Sequence, residues 1–178
     1  MSTRPAVFFD RDGTLMEEVG YCNDPANVRV TSGVPQALDD LRRAGYLIVI
    51  VSNQSGIGRG LFTEAQYAAV QRELLRQLGP HRIDASYFCP DAPGAPSARR
   101  KPQPGMLLEA AADLQIDLGR SFMVGDKASA LEAGRRAGTR TALVRTGYGA
   151  ATELEAGLVA PDHTADDVAA AVRWILRQ

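Results

Sequence analysis

The chain has 178 residues, of which 45% are hydrophobic and 23% are charged, a length and balance that suit one globular domain. Its 20 basic and 21 acidic residues give a formal net charge of −1, so no bulk positive field would attract nucleic acid or an anionic membrane. Two cysteines are too few for a disulfide framework, and no apolar stretch approaches the roughly 20 residues of a membrane-spanning helix. We expect a single cytoplasmic domain over residues 1–178, monomeric, with no nucleic-acid or membrane partner.

Short apolar runs alternate along the chain with longer segments of helical periodicity. The runs predict strands at residues 6–9, 46–51, 85–89, 122–124 and 141–144. The periodic segments predict helices at residues 35–44, 64–78, 106–114, 129–137 and 166–176, the second opened by a capping box of Thr63 and Gln66. This alternation predicts an α/β fold, a doubly wound parallel sheet with helices on both faces.

Polar residues follow three of the predicted strands, at the edge where functional groups of such sheets collect. Asp10 follows the first strand, Ser52 and Asn53 the second, and Asp126 the fourth. Two carboxylates at i and i+2, Asp10 and Asp12, would repel each other unless a cation or a proton lies between them. Mg²⁺ suits one or two carboxylates and a phosphate oxygen, and a pair of solvated turn or helix-capping aspartates is the alternative for this motif alone.

Neutral and basic groups accompany the carboxylates. Ser52 and Asn53 offer uncharged donors for phosphoryl oxygens, and Lys101 would neutralise the charge of a transferring phosphoryl group. Arg59 lies in a flexible, glycine-containing loop at residues 54–60, where a guanidinium suggests recognition of a second anionic group. Each group alone is explained as well by a turn, a helix cap or a solvated surface. Together, in this order and at strand ends, they predict a phosphoryl-transfer site.

Four segments resemble the four motifs of the haloacid dehalogenase superfamily of phosphatases, in order and over nearly the whole chain. They are FDRDGT at 9–14, SNQSGI at 52–57, RKP at 100–102 with PGM at 104–106, and VGDK at 124–127. They are most similar to the branch that contains heptose bisphosphate phosphatases and the phosphatase half of bifunctional histidinol-phosphate enzymes. The resemblance implies a Rossmann-like core with strand order 3-2-1-4-5. No insertion is large enough to fold as a separate cap domain, so we expect an open site whose walls are the short loops at residues 17–27, 55–62 and 91–99.

The resemblance also implies a role for each matching position. Asp10 would attack phosphorus and form an aspartyl-phosphate, and Asp12 would protonate the leaving alcohol and then activate water. Ser52, Asn53 and Lys101 would hold the phosphoryl oxygens. The implied ligands of Mg²⁺ are Asp10, the backbone carbonyl of Asp12, and Asp126. The implied substrate-binding residues are Gln54, Ser55, Arg59, Arg100 and Lys127.

The loop before the RKP segment departs from the pattern of this branch. Relatives often carry a zinc-binding loop with Cys-x-His followed by Cys-x-Cys, whereas here Cys89 is followed by Asp91, Ser97 and Arg99 at the corresponding positions. One thiolate cannot make a four-ligand structural zinc site. We therefore predict no structural zinc.

The segment after Asp126 departs as well. Many superfamily members carry another acid four or five residues later, where this chain has Ala130 and Leu131. Glu132 is a candidate substitute. Because Asp126 itself is present, we expect activity to survive.

The implied activity is removal of the C7 phosphate of D-glycero-D-manno-heptose 1,7-bisphosphate, for a surface-polysaccharide precursor. Histidinol phosphate is the alternative substrate, although the length leaves no room for the fused dehydratase of the bifunctional enzymes. An open site would also admit a nucleic-acid 3′-phosphate, against which the near-neutral charge argues. Two non-enzymatic alternatives are a phospho-accepting receiver domain, whose phosphorylated aspartate would follow a later strand, and a catalytically inactive binding module, which the missing acid at Ala130 would suit.

Overall fold

The computed structural model describes residues 3–178, in which six parallel strands form one sheet. The strands are β1 (Ala6–Phe9), β2 (Leu47–Asn53), β3 (Ala85–Cys89), β4 (Phe122–Gly125), β5 (Arg140–Val144) and β6 (His163–Ala165). Their spatial order is β3-β2-β1-β4-β5-β6. The predicted order 3-2-1-4-5 is confirmed, and β6 extends it beside β5. A receiver domain has the order 2-1-3-4-5 and is therefore excluded.

The helices fall where the apolar periodicity predicts them, within two residues at each end. They are α1 (Val34–Arg43), α2 (Ser55–Gly58), α3 (Glu64–Leu78), α4 (Gly105–Leu114), α5 (Ala128–Ala137), α6 (Gly149–Thr152) and α7 (Val168–Ile175). The capping box is present, because Thr63 Oγ1 accepts a hydrogen bond from the Gln66 amide at 3.2 Å and Gln66 Oε1 accepts one from the Thr63 amide at 2.9 Å. The short α2 and α6 were not predicted.

The segment at residues 54–60 is structured, and its prediction as a flexible loop was wrong. Most of it is the single helical turn α2, and the Gly58 amide donates to the carbonyl of Pro90 at 2.8 Å. A side chain at Gly56 could not be placed, since a Cβ there would lie 2.1 Å from Cε1 of Phe62. Glycine here serves close packing and not only flexibility.

Apolar side chains cover both faces of the sheet. Val7 and Phe9 of β1 point into a cluster with α1, α3 and α7, whereas Ala6 and Phe8 point into a cluster with α4 and α5. This burial on both faces explains why the central strands are continuous apolar runs. Each fully buried large side chain contributes about 1.5–3 kcal/mol. With both faces covered, the carboxyl edge of the strands is where polar side chains can gather.

The connections at the carboxyl edge contain little regular structure. The chain between β1 and α1 contains a single 3₁₀ turn at Pro25–Asn27, and within residues 3–178 no insertion folds as a separate cap domain over the edge. As predicted, no helix in the described part of the chain combines the length and the apolar character needed to cross a membrane.

Candidate active site

Asp10 lies at the carboxyl end of β1 and is only 7% exposed. Its Oδ1 accepts a hydrogen bond from the Arg11 amide at 2.8 Å, and its Oδ2 lies 2.7 Å from Nζ of Lys101. Lys101 Nζ also donates to the carbonyl of Val51 at 2.9 Å. Because Lys101 is itself buried, these two oxygens hold its ammonium group beside the carboxylate. A carboxylate that is largely shielded from solvent and lies beside a cation is the arrangement expected of a nucleophile that attacks an anionic ester.

Asn53, the last residue of β2, positions the backbone of Lys101. Its Nδ2 donates to the Lys101 carbonyl and its Oδ1 accepts from the Lys101 amide, each at 3.0 Å. The side-chain amide thus pairs as a peptide group of a neighbouring strand would. One Nδ2 hydrogen remains for a ligand, since an amide nitrogen has two.

A network of polar side chains joins the ends of β1 and β2. Arg11 donates from Nε to Asp12 Oδ2 at 3.0 Å and from Nη2 to Asp12 Oδ1 at 3.1 Å. Gln54 Nε2 lies 2.9 Å from Asp12 Oδ2 and 2.6 Å from Ser52 Oγ, and its Oε1 accepts from Arg11 Nη2 at 3.2 Å. Both oxygens of Asp12 are therefore held by defined donors. The carboxamide of Gln54, which the resemblance assigned to substrate binding, is engaged in this network.

Asp126, directly after β4, is wholly buried and incompletely paired. Its Oδ2 accepts from the Tyr148 amide at 2.9 Å, whereas its Oδ1 has no hydrogen-bond partner among residues 3–178. Burial, and then the charge of Asp10, raise the pKa of Asp126 to about 7. Gly13 passes directly over this carboxylate, because a Cβ at Gly13 would lie 2.2 Å from Asp126 Oδ2. The positive φ of Gly13 (79°) is a second reason for glycine there.

These carboxylates fit a hard divalent cation. Asp10 and Asp126 repel each other, and the unpaired Oδ1 of Asp126 is an oxygen available for a ligand bond. Within residues 3–178 no group of three or more His, Cys, Asp or Glu side chains converges, so a metal here would also need a backbone carbonyl and oxygens from outside the protein. Glu132 offers no third carboxylate, because it pairs with Arg136 on the exposed side of α5. Ala130, which replaces the expected acid, is buried against Gly125.

A cavity of about 570 Å³ opens beside Asp12. The residues that the sequence predicted and that line this cavity are Asp12, Asn53, Gln54, Ser55 and Lys127. Its walls include residues of the 17–27 loop and of the 145–155 segment. The predicted walls were residues 17–27, 55–62 and 91–99, so the 145–155 segment is a wall that was not predicted. The size is in the range of small-molecule sites.

Lys127 is the cation of the cavity wall. Its Nζ lies 3.2 Å from Glu18 Oε2 and 4.5 Å from the centre of the Tyr148 ring. Burial disfavours its charge, but the carboxylates of Glu18, Asp126 and Asp10 raise the pKa of Lys127 above its ordinary value. The side chain is 42% exposed, so it remains able to meet a ligand.

The two arginines predicted to bind substrate are not among the residues of the described chain that line this cavity. Arg59 is exposed, with its guanidinium 5.9 Å from the centre of the ring of Tyr21, which does line the cavity. Arg100 donates from Nη1 to the carbonyl of Asp91 at 3.0 Å. Their assignment to substrate binding stays a prediction.

Hydrogen bonds replace metal ligands in the loop after β3. Cys89 Sγ lies 3.3 Å from Asp91 Oδ2 and 3.5 Å from Ser97 Oγ. Hydrogen bonds from Ser97 and Cys89 hold the pKa of Asp91 below its ordinary value. Three of the four positions at which relatives often carry zinc ligands therefore contact one another as a thiol, a carboxylate and a hydroxyl. The fourth, Arg99, pairs instead with Glu109 of α4 at 3.1 Å.

Sequence reasoning missed Arg11, Glu18 and Tyr148 as site residues. Tyr148 follows β5 at the same carboxyl edge, so the strand-end rule that found Asp126 would have found it. Glu18 lies within a predicted wall loop but carried no motif. Arg11 carried no signal, because lone basic residues are usually solvated.

Known proteins share both the sequence and the fold. A family model described as HAD-hydrolase-like matches residues 98–171. The D-glycero-D-manno-heptose-1,7-bisphosphate 7-phosphatase of Thermosynechococcus vestitus is 41% identical over 188 residues, covering 97% of this chain and 95% of that protein. The D-glycero-beta-D-manno-heptose-1,7-bisphosphate 7-phosphatase of Escherichia coli K12 is 40% identical over 161 residues, covering 85% and 84%.

Solved structures agree with these relatives. The D,D-heptose 1,7-bisphosphate phosphatase of B. bronchiseptica, complexed with magnesium and phosphate, has a TM-score of 0.90 at 32% identity, covering 97% of this chain and 98% of that one. The D,D-heptose 1,7-bisphosphate phosphatase of Burkholderia thailandensis has a TM-score of 0.75 at 29% identity, covering 98% and 100%. The chain belongs to the haloacid dehalogenase superfamily, in the family of the D-glycero-D-manno-heptose-1,7-bisphosphate 7-phosphatases.

Proposed function

We propose that this protein is a Mg²⁺-dependent phosphomonoester hydrolase that removes the C7 phosphate of D-glycero-D-manno-heptose 1,7-bisphosphate for surface-polysaccharide precursor synthesis. The observation that carries the proposal is the nearly dry carboxylate of Asp10, with Lys101 Nζ 2.7 Å away. Asp12, two residues later, lines the adjoining cavity. Relatives about 40% identical and named for this activity support the choice of substrate.

The chemistry is a double displacement at phosphorus. An oxygen of Asp10 bonds to phosphorus as the bond from phosphorus to the ester oxygen breaks, and the alcohol leaves with the proton of Asp12. In the second step Asp12 takes a proton from water, whose oxygen attacks the aspartyl-phosphate. Inorganic phosphate leaves, and Asp10 is regenerated as a carboxylate.

Three side chains would hold the phosphoryl oxygens during both steps. Lys101 supplies a fixed positive charge. Ser52 Oγ accepts its hydrogen bond from Gln54, so the hydroxyl hydrogen is free to point at a ligand. The second Nδ2 hydrogen of Asn53 is free as well. These donors are fixed by the fold before substrate arrives, which is the condition for electrostatic stabilisation of the transition state.

Asp10, Asp126 and the backbone carbonyl of Asp12 would hold the Mg²⁺ ion. The unpaired, buried Oδ1 of Asp126 supports this assignment. When bound, Mg²⁺ supplies positive charge that offsets the carboxylates and the phosphoryl group. A metal bound at Oδ1 of Asp126 would leave the existing hydrogen bonds of this residue intact. Tyr148 donates to its Oδ2, and Thr152 donates to its carbonyl oxygen.

Lys127 would bind the second phosphate of the bisphosphate. It lines the cavity beside Asp12, and a phosphate can compete with Glu18 for its ammonium group. Histidinol phosphate remains the alternative substrate, because Glu18 at the same wall would suit an ammonium group. Beside the Glu18–Lys127 pair, the bisphosphate would therefore place a negative phosphate, and histidinol phosphate a positive ammonium group.

The test compares kcat/KM for the heptose bisphosphate, histidinol phosphate and a 3′-phosphorylated oligonucleotide, with Mg²⁺ and with EDTA. We expect the bisphosphate to be preferred, EDTA to abolish turnover, and Asp10→Asn to lower kcat by at least about 10³-fold. Preference for histidinol phosphate would overturn the substrate assignment alone. Failure to release phosphate from any ester would overturn the enzymatic proposal and favour an inactive binding module.

A further inference from the structure

Arg11 is a charged side chain in the interior of the protein, with 0% of its surface exposed. Burying a guanidinium costs several kcal/mol unless it is paired and hydrogen-bonded. Its partners are Asp12, Gln54 and the ring of Tyr67, whose centre lies 5.1 Å from the guanidinium carbon. Burial raises the pKa of Tyr67 to about 12, so this ring stays neutral. Packing alone does not explain why a charged side chain is buried here despite the free-energy cost of removing it from water.

The contacts of Arg11 converge on one group, the carboxyl group of Asp12. Two nitrogens of the planar guanidinium meet the two oxygens of that carboxyl group, at 3.0 and 3.1 Å. Such a two-point contact sets the plane of a carboxyl group as well as its position. Gln54 adds a third donor, 2.9 Å from Asp12 Oδ2, and binds Arg11 through its Oε1.

Arg11 does not reach the ligand space itself. Its side chain is wholly buried, whereas Asp12 lines the cavity. Any effect of Arg11 on the reaction therefore acts through Asp12. Proton transfer depends on the distance and direction between the carboxyl group and the ester oxygen, and a carboxyl group held at both oxygens samples fewer directions than a free one.

We propose that Arg11 is a positioning residue that sets the orientation in which Asp12 delivers its proton to the leaving oxygen. The inference rests on the proposed function, in which Asp12 is the acid. Removal of the guanidinium leaves Asp12 chemically intact but held only at Oδ2, by Gln54, so its carboxyl group samples more orientations. Cleavage should then slow most for esters whose leaving group depends on that proton.

Two aryl esters of similar shape separate this effect from general damage to the site. Phenyl phosphate releases a basic phenoxide and needs a proton from Asp12, whereas 2,4-dinitrophenyl phosphate releases a stabilised anion and does not. The ratio of their kcat/KM values, phenyl over dinitrophenyl, therefore measures the help given by the acid. Loss of folded protein or of phosphate binding lowers both values and leaves the ratio unchanged.

The experiment measures this ratio for the wild type, Arg11→Met, Asp12→Asn and a matched control, Arg82→Met. Arg82 binds Asp39 through an equivalent two-point contact, at 2.6 and 2.7 Å, away from the strand ends. We expect the ratio to fall on the order of 10- to 100-fold in Arg11→Met, at least as far in Asp12→Asn, and less than about twofold in Arg82→Met.

Equal losses on both esters in a folded Arg11→Met would overturn the proposal and reduce Arg11 to a structural role. An unchanged ratio in Asp12→Asn would instead overturn the acid role of Asp12 in the proposed function. If Arg11→Met does not fold, Arg11→Lys decides, because it keeps the buried positive charge but cannot make the two-point contact with Asp12. A smaller fall in its ratio supports positioning by the guanidinium, and an unchanged ratio overturns it.

Discussion

Lys101 Nζ lies 2.7 Å from Asp10 Oδ2, and neither side chain is more than one-tenth exposed. A buried ion pair that loses one partner leaves an uncompensated charge, which costs about 3–5 kcal/mol. The pair therefore links the stability of the metal-free protein to the same contact that we propose prepares Asp10 for attack.

Lys101→Met should separate these two effects. We expect kcat to fall by roughly 10²–10³-fold, because the variant loses a fixed cation at the phosphoryl group, and we expect urea unfolding in EDTA to show a loss of about 3 kcal/mol. Lys127→Met is the control, since its partly exposed pair with Glu18 should contribute no more than about 1 kcal/mol. A Lys101→Met enzyme with wild-type kcat would contradict this role.

Asp126→Asn should stabilise the protein in EDTA while removing its response to magnesium. Burial and the charge of Asp10 both disfavour the carboxylate, as its pKa near 7 reflects, and asparagine removes that charge. We expect Tm in EDTA to rise by roughly 2–8 °C and the Mg²⁺-dependent rise in Tm to disappear. Thermal melts with and without Mg²⁺ measure both changes. A variant that keeps the wild-type response to Mg²⁺ would rule Asp126 out as a ligand.

The raised pKa of Asp126 also sets a pH dependence for the metal-free protein. Between the unfolded value of 3.8 and about 7, the folded protein binds a proton that the unfolded chain does not. The contribution of the Asp126 carboxyl group to the free energy of unfolding is therefore fully present below this pH window. It is lost as the pH rises through the window. We expect unfolding free energies in EDTA to fall between about pH 4 and 7, with a shallower fall in Asp126→Asn. Parallel curves for the two proteins would contradict the shift.

Lys127→Met should distinguish substrates with two phosphates from those with one. Loss of a charge-assisted contact costs about 1.5–3 kcal/mol, so we expect kcat/KM for the heptose bisphosphate to fall roughly 10- to 100-fold. Hydrolysis of p-nitrophenyl phosphate should change by less than about threefold. Glu18→Gln is the matched variant, and it should not weaken binding of the bisphosphate. Equal losses on both esters would place Lys127 at the transferring phosphoryl group instead.

The loop after β3 should hold its shape without metal. Cys89, Asp91 and Ser97 already satisfy one another by hydrogen bonds, so we expect purified protein to contain far less than one equivalent of zinc. A zinc chelator should leave Tm unchanged, and Cys89→Ala should lower the unfolding free energy by about 1–2 kcal/mol. Elemental analysis and thermal melts measure these outcomes. Stoichiometric zinc would show that the loop recruits other ligands.

Three of the strands that the sequence predicted carry a continuous apolar signal. β1, β2 and β4 are buried on both faces, so their composition alone marks them. β6 was missed because its three residues, His163–Ala165, carry no apolar run and lie at the sheet edge. Its position depends on pairing with β5, which is a long-range contact and not a local pattern.

The site was predictable where residue type and strand end coincide. Asp10, Asn53 and Asp126 meet both conditions, and the structure places them at one edge of the sheet. Arg11 lies at a strand end, but its residue type gave no signal, since its other partners, Gln54 and Tyr67, are 43 and 56 positions away in the chain and are brought to it only by folding. Arg59 and Arg100 were predicted from their charge alone, and charge does not say which way a loop directs a side chain.

The two-way pairing of Asn53 with the backbone of Lys101 spans two segments that are far apart in the chain. The amide of Asn53 ties Lys101 directly to β2, whereas 11 residues, 90–100, connect the lysine to β3. We therefore expect the connection to tolerate changes of sequence better than Asn53 does, because this one side chain anchors the lysine to the sheet.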